Sequence, residues 1–291
     1  MQLRSIRFTA VDGTALHARD IGPVDSPKPP LLCLAGLTRN SKDFEPLLAW
    51  LPLDRRVICP DYRGRGKSAR AADPMTYTPQ DELADQITLL DHLGIERAAV
   101  LGTSRGGIIA MLMAAFHRPR MAGILLNDIG PDIETAGLLR IRNNIDGPAP
   151  ALHSWSDAIA HLKAREPGYE TLSEAGWLAM AMRIFGERDG RPVIDFDPAL
   201  VETFPTRETI EAGAVRDLWD VLPAMAGLPA AVLRGEHSDL LSARIVARMQ
   251  AELPGLAATV VRNRGHIPLL DEPESIAAIQ RWLAETDLAA G

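Results

Sequence analysis

The stretch "LGTSRGG", residues 101–107, decides how the rest of the chain is read. Three glycines fall within the six residues from Gly102 to Gly107. Each costs ~1 kcal/mol against alanine in a helix. A chain that keeps them needs its backbone to turn where a side chain would collide. Gly102-Thr103-Ser104-Arg105-Gly106 fits G-x-S-x-G, the sharp strand-to-helix turn that lifts a serine hydroxyl into the open. The competing reading is a glycine-rich turn with an incidental serine, so the flanking sequence must decide.

On either side, the flanks favour the turn. "AAVLGTS" reads as a buried strand, and "GGIIAMLMAAFHRP" as a helix apolar nearly all round. Further out, "PLLCLAG" and "RRVICPD" are continuous apolar runs, as in strands covered on both faces. "LRSIRFTAV" and "TALHARDI" flank Asp12-Gly13, a hairpin signal. "TPQDELADQITLLDHLG" predicts a helix with Thr78 as cap, Pro79 at its first position, acids in its first turn and Gly94 as its stop. Leu83, Ile87 and Leu90 share one face of it. "AGILLNDIG", "PAAVLRGEHSD" and "AATVVRNRGH" supply three later strands. This alternation predicts an α/β fold with a mostly parallel sheet. About 100 residues separate "NDIGP" from "PAAVLRG", far more than one crossover needs. Their helical pieces, "SWSDAIAHLKARE" and "EAGWLAMAMRIFG", and their apolar content predict an inserted helical cap. The expected division is a core of residues 1–130 and 221–291 with a cap of 131–220.

Bulk composition excludes several classes of function. Across 291 residues the chain is 46% hydrophobic and 24% charged, with a net charge of −7. That balance argues against a nucleic-acid partner. No apolar run approaches the ~20 residues of a membrane span, and the first residues lack a signal-peptide pattern. Cys33 and Cys59 lie in apolar runs and read as buried, reduced thiols, which suits a cytoplasmic protein. No Cys/His spacing suggests a metal site. "DYRGRGKS" fails as a phosphate-binding loop, because Asp61 stands where a glycine is required.

A serine hydroxyl needs a base within hydrogen-bond reach. With a serine on this kind of turn, the acid and then the histidine follow it in the chain. His266, in "RNRGHIPLLDEP", fits as the base. His237 lies in the same turn as the preferred acid and reads as its neighbour; His92, His117 and His161 fall on helices. Asp239, after the strand "AAVLRG", is the preferred acid. Asp128 and Glu236 are its rivals, Asp128 being read first as a turn aspartate ahead of Pro131. Oxyanion donors are expected from the backbone N–H of Arg105 and, in "LAGLTRN", of Leu37, where Gly36 permits close approach.

The order "LAGLTRNSKDFEPL", "VICPDYRGRGKS", "GTSRGG", "RGEHSDLL" and "GHIPLLDEP" resembles the α/β-hydrolase superfamily over nearly the whole length, and most of all its capped, esterase- and lactonase-like branch. The resemblance implies an eight-stranded, mostly parallel sheet with helices on both faces. It implies a serine hydrolase that uses Ser104, His266 and Asp239 without a cofactor. Two departures stand out. Ala35-Gly36 replaces the common His-Gly pair, and Arg105 follows the serine where Met or Leu is common. Arg105 is expected to pair with a carboxylate.

The expected substrate is a small-molecule carboxylic ester or lactone. The alternative is carbon–carbon hydrolysis of a vinylogous diketone acid, with Arg140, Arg142 or Arg183 on its carboxylate. A lesser alternative is a ligand-binding protein without turnover. In the cap, Trp177, Met180 and Ile184 share one helical face. Trp155, Trp177, Met180 and Arg140 are the candidate substrate contacts, and the simpler reading of that face is packing on the core.

Overall fold

The computed structural model describes residues 3–147 and 150–290. Residues 1–2, 148–149 and 291 of the expected division lie outside them. In chain order the strands and helices begin with β1 (Leu3–Thr9), β2 (Ala15–Ile21), β3 (Leu31–Leu34), α1 (Glu45–Trp50) and β4 (Val57–Asp61). Next come α2 (Pro79–His92), β5 (Ala98–Thr103), α3 (Arg105–Phe116) and β6 (Met121–Asn127). Between β6 and β9 lie α4 (Thr135–Ile145), α5 (Trp155–Lys163), α6 (Glu174–Ile184), β7 (Phe185–Arg188), β8 (Arg191–Ile194) and α7 (Arg207–Glu211). The chain closes with β9 (Ala230–Gly235), α8 (Ala243–Glu252), β10 (Ala257–Val261) and α9 (Pro273–Ala290).

Eight strands form one sheet in the order β1-β2-β4-β3-β5-β6-β9-β10. The β1–β2 and β2–β4 pairs are antiparallel and the others parallel. Helices cover both faces, as expected of this class. Strands β3, β4, β5 and β6 are buried at every residue, which is why their sequences are apolar without alternation. α2 has the predicted ends: Thr78 Oγ1 accepts from Asp81 N–H at 3.1 Å, and Gly94 adopts φ +65°. The Asp12-Gly13 hairpin joins β1 to β2 as expected.

The insertion has an apolar cluster of its own. Ala158, Leu162, Tyr169, Trp177, Met180, Ala181 and Phe185 are buried together with Leu269 from the loop after β10. It is not purely helical. β7 and β8 form an antiparallel hairpin turned by Asp189 (φ +51°) and Gly190 (φ +74°). The Asp-Gly pair is a hairpin signal with both residues at positive φ, and the helical pattern just before it hides it.

Where β4 ends, His17 and Asp61 make a buried pair, Nδ1 to Oδ2 at 2.7 Å. Ser5 Oγ lies 3.0 Å from His17 Nε2. Asp61 also accepts from the N–H groups of Ser41 and Lys67. Burial alone would raise the Asp61 carboxyl, but His17 and these N–H donors outweigh it and hold it below the usual range. The group ties β2 and β4 to the loops that follow β3 and β4.

Candidate active site

Ser104 sits between β5 and α3 with φ +50° and ψ −114°, a conformation that L residues rarely adopt. The glycines around it are required sterically. A Cβ on Gly102 would stand 2.4 Å from Gly106 O, and one on Gly106 would stand 2.1 Å from Leu34 O. One on Gly107 would meet Ile129 Cγ2 at 2.1 Å. The turn therefore packs backbone against backbone, and the serine is left at the carboxyl edge of the sheet with the N-terminus of α3 beneath it.

His266, on the loop after β10, brings Nε2 to 3.0 Å from Ser104 Oγ. Its Nδ1 is 2.7 Å from Asp128 Oδ2. A carboxylate only accepts, so the proton sits on Nδ1 and Nε2 is free to accept from the serine. Asp128 directly follows β6, is closed to solvent and has φ +56°. Its Oδ1 accepts from Gly235 N–H at 2.7 Å and its Oδ2 from Ser238 Oγ at 2.6 Å. The carboxylate paired with His266 thus stands one strand closer to the serine than the expected Asp239. The expected pairing of His266 with Asp239 does not form. Asp239 lies past the end of β9 in the fork of Arg140, at 2.6 and 2.9 Å. Burial pushes its carboxyl up, but Arg140 prevails and holds it below the usual range.

Two further contacts fix the histidine loop. Tyr169 Oη donates to Ile267 O and accepts from Ile267 N–H, both at 2.5 Å. Behind Ser104, His266 and Asp128, Asn127 Nδ2 donates to Thr103 Oγ1 at 3.2 Å and to Pro268 O at 3.1 Å. Asn127, which precedes Asp128, thereby ties Thr103, the residue before Ser104, to the loop that carries His266.

The N–H groups of Leu37 and Arg105 donate to no protein acceptor among the described residues. A Cβ on Gly36 would lie 3.9 Å from Ser104 Cβ, so the loop after β3 reaches the serine through backbone, as the glycine suggests. Two cavities open at Ser104. One, of about 160 Å³, is lined by Arg39, Arg140, Arg165, Glu166, Met180 and His266 among others. The second, of about 330 Å³, is lined largely by apolar side chains and by Arg105. Ser104, Leu37 and Ile141 border both.

A family model described as the alpha/beta hydrolase family matches residues 31–279. The chain belongs to the alpha/beta hydrolase family. A solved alpha/beta hydrolase from Novosphingobium aromaticivorans is 40% identical with a TM-score of 0.88, covering 97% of this chain and 98% of that one. A 3-hydroxybutyrate-oligomer hydrolase from Cupriavidus necator is 32% identical over 253 residues, 85% of each chain. A 2-(acetamidomethylene)succinate hydrolase from Mesorhizobium japonicum is 28% identical over 259 residues, 88% of each chain.

In this alpha/beta hydrolase the other predicted contacts divide. Met180 and Arg140 line the smaller cavity. Trp155 and Trp177 do not border either cavity at Ser104; they pack in the insertion's own cluster, Trp177 edge-on to Tyr169 with centroids 6.0 Å apart. Arg105 pairs with a carboxylate as expected: Nε donates to Glu82 Oε2 at 2.7 Å and Nη2 to Tyr77 O at 2.7 Å. Glu82 also meets Arg65 at 2.8 Å. Arg65 is buried between the rings of Tyr62 and Tyr77 and donates to Leu37 O at 2.9 Å. Glu82 therefore ties together Arg65, which holds Leu37 O, and Arg105, the residue after Ser104. Burial first, then the nearby Asp197, pushes the Tyr77 hydroxyl up to about 12. Arg65, Glu82, Asn127 and Tyr169 escaped sequence reading. None carries a local signal: Arg65 stands in the polar run DYRGRGKS and Glu82 reads as an ordinary first-turn acid.

Proposed function

We propose that the protein is a serine hydrolase cleaving a carboxylic ester or lactone, with Ser104 as nucleophile, His266 as base and Asp128 as the acid. The observation that carries this reading is the continuous chain Ser104 Oγ–His266 Nε2, His266 Nδ1–Asp128 Oδ2. His266 takes the serine proton as Oγ attacks the carbonyl carbon. The oxyanion develops beside the N–H groups of Leu37 and Arg105, each worth ~3 kcal/mol to such a transition state. Asp128 holds the imidazole tautomer and offsets the imidazolium charge. His266 then protonates the leaving alcohol, and the ester C–O bond breaks. Water, deprotonated by His266, attacks the acyl-serine; as the acyl C–O bond breaks, His266 returns that proton to Ser104 Oγ and the acid is freed. In this reading residues 131–220 form a lid over the core of 1–130 and 221–291. The name of the 32% identical Cupriavidus relative lends weight to esters of hydroxy acids.

Carbon–carbon hydrolysis draws less support. Of its three candidate arginines, only Arg140 borders the serine's cavities. Arg142 is held by Asp146, and the Arg183 side chain lines a small separate void beside Asp43. The test is labelling with a fluorophosphonate probe beside turnover of short-chain p-nitrophenyl esters. Stoichiometric labelling, abolished in Ser104→Ala, is the expected result. A folded wild-type protein that neither labels nor turns over any ester overturns the reading and returns it to a ligand-binding role.

A further inference from the structure

We propose that the substrate is a hydroxy-acid ester with a free carboxylate, that this carboxylate is bound by Arg165, and that the ester's two limbs occupy the two chemically different cavities at Ser104. The inference rests on the ester-hydrolase reading and adds the substrate's charge and orientation to it.

The geometry begins with the wall that the cavities share. Ser104, Leu37 and Ile141 border both, so a carbonyl held at Ser104 has one limb on each side. The larger cavity is walled by Ile108, Leu112, Ile129, Leu138, Phe204 and Leu218. Near the serine its one charged side chain, Arg105, is already tied to Glu82 and Tyr77 O. Asp132 is half-buried, while Arg216 and Asp217 stand exposed at its rim. An apolar limb gains there by leaving water.

The smaller cavity is different. Arg39, Arg140, Arg165 and Glu166 all line it. Arg39 is engaged by Asp43, with Nε at 2.9 Å, and Arg140 by Asp239 and Glu166. Arg165 alone has no carboxylate within ion-pair distance among the described residues. It stands exposed just past α5, where a ligand carboxylate can meet it without burying an uncompensated charge. Its guanidinium faces the same space as His161: burial, then the charge of Arg165, holds that imidazole below its usual pKa. His161 thus stays uncharged near neutral pH and leaves the cation at this mouth to Arg165. Cavities of about 160 and 330 Å³ lie at or below the low end of the ~300–1,000 Å³ usual for ligand sites. Both limbs are therefore short.

The experiment compares 3-butyryloxybutanoate with its neutral isostere 3-butyryloxybutanamide, each as separate enantiomers, on the full-length protein and on Arg165→Gln and Arg165→Lys. The expected result is a kcat/KM at least about tenfold higher for the acid, carried mainly by KM. In Arg165→Gln that ratio collapses toward one, and Arg165→Lys keeps part of it. Equal rates on the two esters, or a preference unchanged in Arg165→Gln, overturn the inference and leave the ester-hydrolase reading standing. So does a protein that labels at Ser104 yet ignores both esters. Absence of both labelling and turnover sinks the ester-hydrolase reading itself, and this inference with it.

Discussion

His266 Nδ1 and Asp128 Oδ2 lie 2.7 Å apart, with the carboxylate wholly closed to solvent. Asp239, in the next loop of the sheet edge, is partly exposed and bonded to Arg140 instead. The two acids should therefore respond differently to the same change. Asp128→Asn should lower kcat by ~10³–10⁴, because the amide no longer fixes the imidazole tautomer. Asp239→Asn breaks a partly exposed pair worth ~1 kcal/mol or less and should cost under about tenfold. Steady-state kinetics on both variants, with circular dichroism to establish folding, checks this; the reverse order would transfer the acid's role to Asp239.

Ser104 is held at φ +50°, a conformation costing ~1–3 kcal/mol for a residue with a side chain. Ser104→Gly should relieve it. Urea denaturation should show the variant more stable by roughly 1 kcal/mol, even after loss of the His266 hydrogen bond, while hydrolysis vanishes. A variant less stable than wild type would mean that the turn is unstrained.

Glu82 carries two arginines, the buried Arg65 and the half-buried Arg105. Glu82→Gln leaves both without their carboxylate and should destabilise the fold by ~3 kcal/mol or more. Since Arg65 holds Leu37 O and Arg105 follows the nucleophile, kcat should fall with little change in KM. Unaltered kcat in a destabilised protein would confine Glu82 to a structural role.

Removing one hydroxyl tests the brace on the histidine loop. Tyr169→Phe leaves the N–H and C=O of Ile267 without their partner, at ~1–3 kcal/mol for the buried groups. His266 is the neighbouring residue, so kcat should drop roughly ten- to a hundredfold through misplacement of the ring, with burst kinetics placing the loss in acylation. Wild-type kcat in this variant would show that the loop holds its place unaided.

Stability should depend on pH through Asp61. Its folded carboxyl sits below the ordinary range because the His17 and N–H contacts outweigh burial. A lowered folded pKa gives stability that is present above the unfolded value near ~3.9 and lost as pH falls through the folded one. Asp61→Asn should thus be less stable than wild type by ~1–3 kcal/mol at pH 7. The gap should close in the acid range. A gap constant down to pH 2 would assign the effect to packing.

Sequence pattern carried the sheet, the serine turn and the ends of α2, because each is a local matter of periodicity, capping or a missing Cβ. It also placed Ser104 and His266, whose positions relative to strand ends are local too. The carboxylate that pairs with His266 is harder to read. Asp128 and Asp239 both fall between the serine and the histidine, and only the lateral order of strands brings β6 beside β5. One clue was available: Asp128 directly follows a seven-residue strand buried throughout, where a carboxylate must find a partner. Asp239 stands in a polar turn and can be satisfied by solvent. The β7–β8 hairpin was masked by the helix that runs into it. Tyr169 and Asn127 act through contacts 98 and 141 residues away, beyond any local signal.

Ser5, His17 and Asp61 reproduce the spacing of Ser104, His266 and Asp128: 3.0 Å from hydroxyl to imidazole and 2.7 Å from imidazole to carboxylate in both. A search by interatomic template would score this chain twice. Yet Ser5 sits in the middle of a regular antiparallel pairing, opposite Arg19, with ordinary strand torsions and no glycine turn to aim spare N–H groups at an incoming carbonyl. On the proposed reading, one copy of the relay only joins strands, while the other is reactive because the backbone around it is bent out of the ladder. The two copies differ in the main chain around them, and an inhibitor designed against the relay alone would have no means of choosing between them.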